Sequence, residues 1–191
     1  MSKMRFAIFG RIASGKSSIV SALSGVDIWH VEHEFGVKIT PALYCDYSPK
    51  MTIVEIHCVV DKSEYSDVIM SEAQKAHGHV FVLEGEPTQD EIEIFDFVKK
   101  NTPHSPTIVF VNKADRFEHM PKSDVETVKG RIIEKMRKYV DSELDIIFGS
   151  ARLFDKERDE MVRQNLPSLE DRLEKISKRF ETRVVPPSPV P

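Results

Sequence analysis

Gly10, Arg11, Ile12, Ala13, Ser14, Gly15, Lys16 and Ser17 read G-x-x-x-x-G-K-S, directly after the apolar run Phe6-Ala7-Ile8-Phe9. That spacing suits the capture of a polyphosphate. Glycines at both ends let the backbone pass close to phosphate oxygens and turn successive N–H groups toward them. A helix opening at Gly15-Lys16 adds the positive end of its dipole, and Ser18 falls in its first turn. Lys16 is placed to reach the β- and γ-phosphates, and Ser17 to offer its hydroxyl to Mg2+. The plain alternative is a glycine turn followed by a surface lysine. A strand before the motif, with Ile19, Val20 and Leu23 at helical positions after it, favours the phosphate site.

A phosphate loop does not choose a base. Asn112-Lys113-Ala114-Asp115, N-K-x-D, follows the apolar run Thr107 to Val111. A carboxylate at Asp115 can accept two hydrogen bonds, from guanine N1–H and N2–H2, and adenine has no such donor pair on that edge. The aliphatic stem of Lys113 would cover the base, and Asn112 would tie the loops together. Gly149-Ser150-Ala151-Arg152 follows the next apolar run, where the Ala151 N–H can meet guanine O6, and Ser150, Ala151 and Arg152 are expected as a second base-contacting segment. Thr40, in Val37-Lys38-Ile39-Thr40-Pro41, has two readings: a group that swings in to complete Mg2+ coordination and sense the γ-phosphate, or an ordinary threonine entering a strand.

The elements that must hold these residues alternate. Strands are expected at about Met4–Phe9, Ala42–Tyr47, Met51–Val60, His79–Leu83, Thr107–Val111 and Leu144–Phe148. Helices are expected from Lys16 to Ser24, from Asp61-Lys62-Ser63-Glu64-Tyr65 toward His77, after Thr88, after Ser123, and from near Ser168. Thr88-Gln89-Asp90-Glu91 and Ser123-Asp124-Val125-Glu126 both read as capping boxes. This alternation predicts an α/β three-layer sandwich around a mostly parallel six-stranded sheet, with ligands at the carboxyl ends of the strands. Residues 1–183 are expected to form one domain, and 184–191 a proline-rich tail or linker.

Composition narrows the class. A chain of 191 residues with 40% hydrophobic side chains can bury a single core without staples. The net charge of −4 does not suggest a nucleic-acid binder or a polybasic membrane-surface protein, although a local patch is compatible with it. Cys45 and Cys58 read as buried thiols rather than a disulfide, and His30 and His33 as surface residues rather than a metal pair. The opening Met-Ser-Lys-Met-Arg leads into a strand too short for a secretory or membrane-spanning segment, so the cytoplasm is the expected address.

Taken in order, the phosphate loop, N-K-x-D and the Gly149–Arg152 segment resemble the P-loop GTPases of the Ras/Era-like class over about Arg5 to Arg152. Ser14-Gly15-Lys16-Ser17-Ser18 and Ala22-Leu23-Ser24-Gly25 are similar to dynamin-related and bacterial Era-like members. The resemblance implies a six-stranded sheet with one antiparallel edge, GTP or GDP and Mg2+ as ligands, and two switch loops, by position Gly25–Pro41 and about Val59–Tyr65. It also implies a protein effector or regulator.

One family element is missing. D-x-x-G is expected after the third strand, yet no glycine occurs between Gly36 and Gly78. Glu55, Cys58 and Asp61 stand at or near the position of its aspartate, and no glutamine follows immediately to orient water. Two readings therefore stay open. In the first, the protein is a slow GTPase in which Lys16 stabilises transition-state charge, Ser17 and Thr40 hold Mg2+, and a partner or second copy supplies a further catalytic group. In the second, it is a pseudo-GTPase module that holds guanine nucleotide with negligible hydrolysis. A P-loop kinase would leave Asn112 to Asp115 unexplained.

Overall fold

Along Phe6-Ala7-Ile8-Phe9 every side chain is buried, but successive residues go to different sides. Phe6 and Ile8 join one apolar cluster, Ala7 and Phe9 another, as the period of two in a strand requires. That split sets the architecture: a sheet covered on both faces. The computed structural model describes residues 3–25, 42–56, 66–155 and 160–184. Its strands are β1 (Met4–Phe9), β2 (Ala42–Ser48), β3 (Met51–Ile56), β4 (Gly78–Leu83), β5 (Thr107–Val111), β6 (Ile146–Phe148), β7 (Ser150–Asp155) and β8 (Glu160–Gln164). Its helices are α1 (Lys16–Ser24), α2 (Ser66–Lys75), α3 (Gln89–Asn101), α4 (Lys122–Met136) and α5 (Leu166–Val184).

The six-stranded sheet runs β2-β3-β1-β4-β5-β6, parallel throughout except that β2 pairs antiparallel with β3 at the edge. One face carries α1 and α5, whose Ile19, Val20, Leu169 and Leu173 pack with Phe6, Ile8 and Phe110. The other carries α2, α3 and α4, whose Ala73, Phe95, Ile132 and Met136 pack with Phe9, Phe81 and Val109. Helices on both faces of a mostly parallel sheet make the expected three-layer α/β sandwich. β1 lies between β3 and β4, and the chain builds β2 and β3 on one side of it before crossing from β3 to β4 on the other, so the loop after β1 lies at the topological switch point. Among the described residues, no helix is long and apolar enough to cross a membrane.

Several boundaries differ from the sequence reading. Thr88 and Glu91 form the capping box that opens α3. The second expected box, at Ser123, is absent: α4 starts one residue earlier, behind Pro121, and the Ser123 hydroxyl bonds Asp124. Pro121 stands at the N-cap there, with φ −55 and ψ 141, and no side-chain cap bond forms. The sixth strand is shorter than Leu144–Phe148; residues Glu143–Asp145 form a 3-10 turn and only Ile146–Phe148 pair with β5. Gly149–Arg152 is not simply a loop, since Ser150 opens β7, which pairs with β8 in a separate two-stranded ribbon. The last helix begins at Leu166, ahead of Ser168. The expected third strand is described as far as Ile56, and residues 57–60 lie outside the described set.

The core also holds a titratable histidine. His79 is fully buried on β4, stacked 6.4 Å from Phe81, with its Nε2 3.1 Å from the Ala73 carbonyl oxygen. Burial pushes its pKa down to about 4, against the opposing pull of the Ala73 bond. The unfolded chain takes up this proton near pH 6.5, whereas the folded chain resists until about pH 4. Stability present above pH 6.5 is therefore lost as the pH falls to about 4, by about 3 kcal/mol from this group. His79→Phe, which keeps an aromatic ring beside Phe81, should remove that share of the pH dependence in urea melts at pH 7 and 4.5. An unchanged slope would assign the acid sensitivity to other groups.

Candidate functional site

Gly10 ends β1 at a place where a side chain does not fit: a Cβ there would lie 2.5 Å from the Val82 carbonyl oxygen. The loop then turns through Ala13, which holds φ 65, and Gly15, at φ 90. A Cβ on Gly15 would meet the Asn112 amide nitrogen at 2.1 Å. The second glycine of the motif is thus demanded both by its left-handed backbone and by the approach of another loop. Arg11 and Ile12 are exposed on the turn, and Ser14 is buried beneath it.

Lys16 is only 5% exposed, and its Nζ donates to the carbonyls of Gly10 at 2.9 Å and Arg11 at 2.8 Å. The ammonium closes the loop on itself. The first helical bond of α1 runs from Ile19 N–H to the Gly15 carbonyl at 3.0 Å. The amides of Ser17 and Ser18 precede it, at the helix start where anions bind. The Ser17 hydroxyl donates to Glu55 Oε1 at 2.7 Å. Glu55 comes from β3, where it pairs with Ile8 of β1 and Leu43 of β2 and is almost completely buried.

The loop after β5 is tied to this one at two points. Asn112 receives its backbone direction from a bond to Leu83 O at 2.8 Å; its side-chain amide donates to Ser14 O at 2.9 Å. Its Oδ1 accepts the Ala151 N–H at 3.0 Å, so one asparagine joins three segments. Lys113, at φ 59, reaches back to Ala13 O at 3.0 Å. Asp115 is held by Ser150: its backbone N–H donates to Ser150 Oγ at 3.1 Å, and its Oδ1 accepts the same hydroxyl. Gln164, on β8, lies on the far side of Ser150, its Oε1 3.4 Å from that hydroxyl.

The structure thus brings together Gly10 to Ser18, Asn112, Lys113, Asp115, Ser150 and Ala151 at the carboxyl ends of β1, β5 and β6. The Ala151 amide is spent on Asn112, so contact with a base oxygen requires that bond to be shared. Arg152 is exposed on β7, beside the irregular pairing between Ser150 and Leu153. Thr40, Cys58, Asp61, His30, His33 and most of both expected switch loops lie outside the described residues.

A residue the sequence reading missed is Glu84, at the end of β4. Its mostly buried carboxylate takes Lys113 Nζ at 2.8 Å, Arg11 at 3.5 Å and Arg116 in close contact. Burial alone would push this carboxyl up; Lys113 and Arg116 more than offset that and hold it below the usual carboxylate range. The available signal was an acid at the end of the wholly apolar run Val80-Phe81-Val82-Leu83. Arg11 also approaches Glu91, in the first turn of α3, at 3.8 Å. Glu84→Gln should strip the charge partner from Lys113 and Arg116, leaving Lys113 with Ala13 and Arg11 with Glu91, and lower the melting temperature by about 2–4 °C. An unchanged melting temperature would show that Lys113 needs only Ala13.

No protein-family model matches the sequence, and no curated protein matches it significantly. Solved structures do resemble it. One is a bacterial selenocysteine-specific elongation factor EF-Sec, at TM-score 0.64 and 17% identity over 94% of this chain and 29% of that one. Another is a probable GTP-binding protein engB, at TM-score 0.63 and 18% identity over 92% of this chain and 99% of that one. A third is translation elongation factor SelB from Methanococcus maripaludis in complex with the GTP analogue GppNHp, at TM-score 0.60 and 16% identity over 93% and 34%. The chain therefore spans about a third or less of the elongation factors and nearly all of engB. These likenesses show the fold, which is that of the P-loop GTPase G domain.

Proposed function

We propose that the chain binds GTP and GDP with Mg2+ and hydrolyses GTP slowly, as a molecular switch. The observation that carries this reading is the continuity of the two loops: Asn112 and Lys113 donate to the carbonyls of Ser14 and Ala13, Asn112 also accepts the Ala151 N–H, and the adjacent Ser150 donates to the Asp115 carboxylate. A base-selecting acid and a phosphate cradle held as one unit suit a single ligand that presents a guanine edge at one end and phosphates at the other. Two of the solved structures it resembles are described as a GTP-binding protein and as a complex with a GTP analogue, which is compatible with the same use of the fold.

In this reading the loop from Gly10 to Ser18 holds the phosphates, and Lys16 moves from its own loop carbonyls to phosphate oxygens. Ser17 and Thr40 hold Mg2+, which when bound would neutralise phosphate charge and polarise the leaving group. Lys113 and Asp115 frame the base, with Ser150, Ala151 and Arg152 at its rim. Lys16 and the loop amides stabilise the charge that develops during in-line attack by water. The missing D-x-x-G favours a second reading, a module that holds the nucleotide without turning it over. A protein effector, a second copy supplying a catalytic group, and a cytoplasmic address belong to the same proposal.

One measurement separates the two. The protein is loaded with GTP and Mg2+, stripped of free nucleotide, and its bound species followed by chromatography. Conversion to GDP over minutes to hours is the expected result; GTP intact after a day establishes the binding module. Failure to retain either nucleotide overturns both.

A further inference from the structure

We infer that Asn165 is a positioning residue for the base end of the site: it pins the exit of the β7–β8 ribbon to Phe148 and so keeps Ser150 set against Asp115. The inference rests on the nucleotide reading above. The ribbon is rooted in the base-contacting segment, since β7 opens at Ser150 and β8 ends at Gln164. Gly149 joins β6 to β7 and is held on one side by β5 and the N-K-x-D loop. Its N–H donates to Val111 O at 2.9 Å, and its carbonyl accepts the Ala114 N–H at 3.0 Å. On its other side the chain returns at Gln164 and Asn165. A Cβ on Gly149 would collide with the Gln164 carbonyl and lie 2.8 Å from the Phe110 ring and 3.2 Å from Asn165 Cβ. The base-contacting segment is therefore clamped between the N-K-x-D loop and residues 164–165.

Asn165 makes the short bond in this clamp. Its Nδ2 donates to the Phe148 carbonyl at 2.7 Å, and because a carbonyl can only accept, the orientation of the amide is fixed. Gln164 contributes less. Its Oε1 is 3.4 Å from Ser150 Oγ and its Nε2 3.4 Å from Glu118 Oε1, both longer than a good hydrogen bond. The ladder does not replace the clamp, because β7–β8 pairing is irregular between Ser150 and Leu153. The backbone of Asn165 points the same way: it holds φ 54, and its carbonyl accepts the Ser168 N–H at 3.2 Å where α5 starts. Glycine would meet that left-handed demand at less cost, but asparagine tolerates it and also carries a donor for Phe148 O. The consequence falls on Ser150, whose hydroxyl accepts the Asp115 N–H at 3.1 Å and donates to the Asp115 carboxylate. A carboxylate that must accept two hydrogen bonds from guanine needs its orientation fixed, whereas a single bond tolerates rotation.

The test compares GDP with inosine diphosphate, which lacks the 2-amino group and can give Asp115 only its N1–H. Affinities are measured on the full chain by competition with a fluorescent guanine nucleotide. Asn165→Gly keeps the backbone conformation and removes the bond, while Asn165→Asp keeps the shape and replaces the donor by an acceptor. Each should weaken GDP about fivefold and inosine diphosphate by less than about twofold, so the preference between them shrinks. Ser150→Ala should weaken GDP as well, and adding Asn165→Gly to it should cost little more, because both act through one contact. Arg163→Ala, which changes an exposed side chain on the same strand, should leave both affinities unchanged. Equal losses for the two nucleotides overturn the inference, as do additive losses in the double variant or an equally large effect of Arg163→Ala. If the wild-type chain binds neither nucleotide, the nucleotide reading fails and this assignment falls with it. GDP bound normally, with the wild-type preference kept in both Asn165 variants, sinks the Asn165 assignment alone.

Discussion

Asp115→Asn should weaken GTP binding about a hundredfold and raise affinity for xanthosine triphosphate, inverting the preference between them. The carboxylate is held by Ser150 through both its backbone N–H and its Oδ1, so its orientation is set before any ligand arrives. An asparagine of the same shape can still accept the Ser150 hydroxyl, which keeps the loop in place. What changes is the face offered to the base. The amide presents N–H donors where guanine N1–H and N2–H2 are also donors, and the mismatch leaves both sides unpaired. A good bidentate pair is worth roughly 1–3 kcal/mol, and stranding its partners adds a similar cost. About 3 kcal/mol corresponds to the hundredfold loss. Xanthine carries an oxygen in place of the guanine amino group and accepts the new donor. Competition against a fluorescent guanine nucleotide checks this; an unchanged ratio of GTP to xanthosine triphosphate affinity would remove Asp115 from base recognition.

The parts of the fold that were legible in the sequence are those where one local rule dominates. Apolar runs such as Phe6–Phe9 and Thr107–Val111 form buried parallel strands because both faces of the sheet are covered. The β7–β8 ribbon was not legible: Leu153-Phe154 and Met161-Val162 are each two residues long, and the six residues between them are all charged. So little periodicity reads as a charged loop. The two capping boxes show the same limit from another side. Thr88 and Ser123 carry equivalent patterns, but Pro121 sits ahead of Ser123 and starts that helix instead.

The site divides along the same line. Motif spacing picked out the Gly10–Ser17 loop and N-K-x-D, whereas the acids packed behind them come from segments far away in sequence. Glu84 reaches Lys113 and Arg11 only because β4 lies between β1 and β5. Glu55 reaches Ser17 only because β3 lies beside β1. Those contacts follow from strand order, and no short motif encodes strand order. The glycines also have a reason that spacing alone could not reveal. Gly15 is constrained by the Asn112 side chain 97 positions later, so the second glycine of G-x-x-x-x-G-K-S is in part fixed by the loop after β5.

Lys16→Ala should cost GTP about a hundredfold to a thousandfold in affinity while leaving guanosine within about threefold of wild type. The ammonium is buried against the carbonyls of Gly10 and Arg11, two strong bonds made within the loop itself. Binding a polyphosphate exchanges these neutral acceptors for anionic oxygens, and each charge-assisted bond is worth roughly 1.5–3 kcal/mol. Removing two such bonds to phosphate costs about 3–4 kcal/mol at the lower end of that range, which corresponds to the stated loss. The comparison with guanosine separates this from collapse of the site. Asn112 and Asp115 are anchored to Leu83, Ser14 and Ser150 without help from Lys16, so the base end should survive. Equal losses for GTP and guanosine would mean that the ammonium is the keystone of the free loop rather than a phosphate ligand. Undiminished GTP binding would place the phosphates somewhere other than the loop between Gly10 and Ser18.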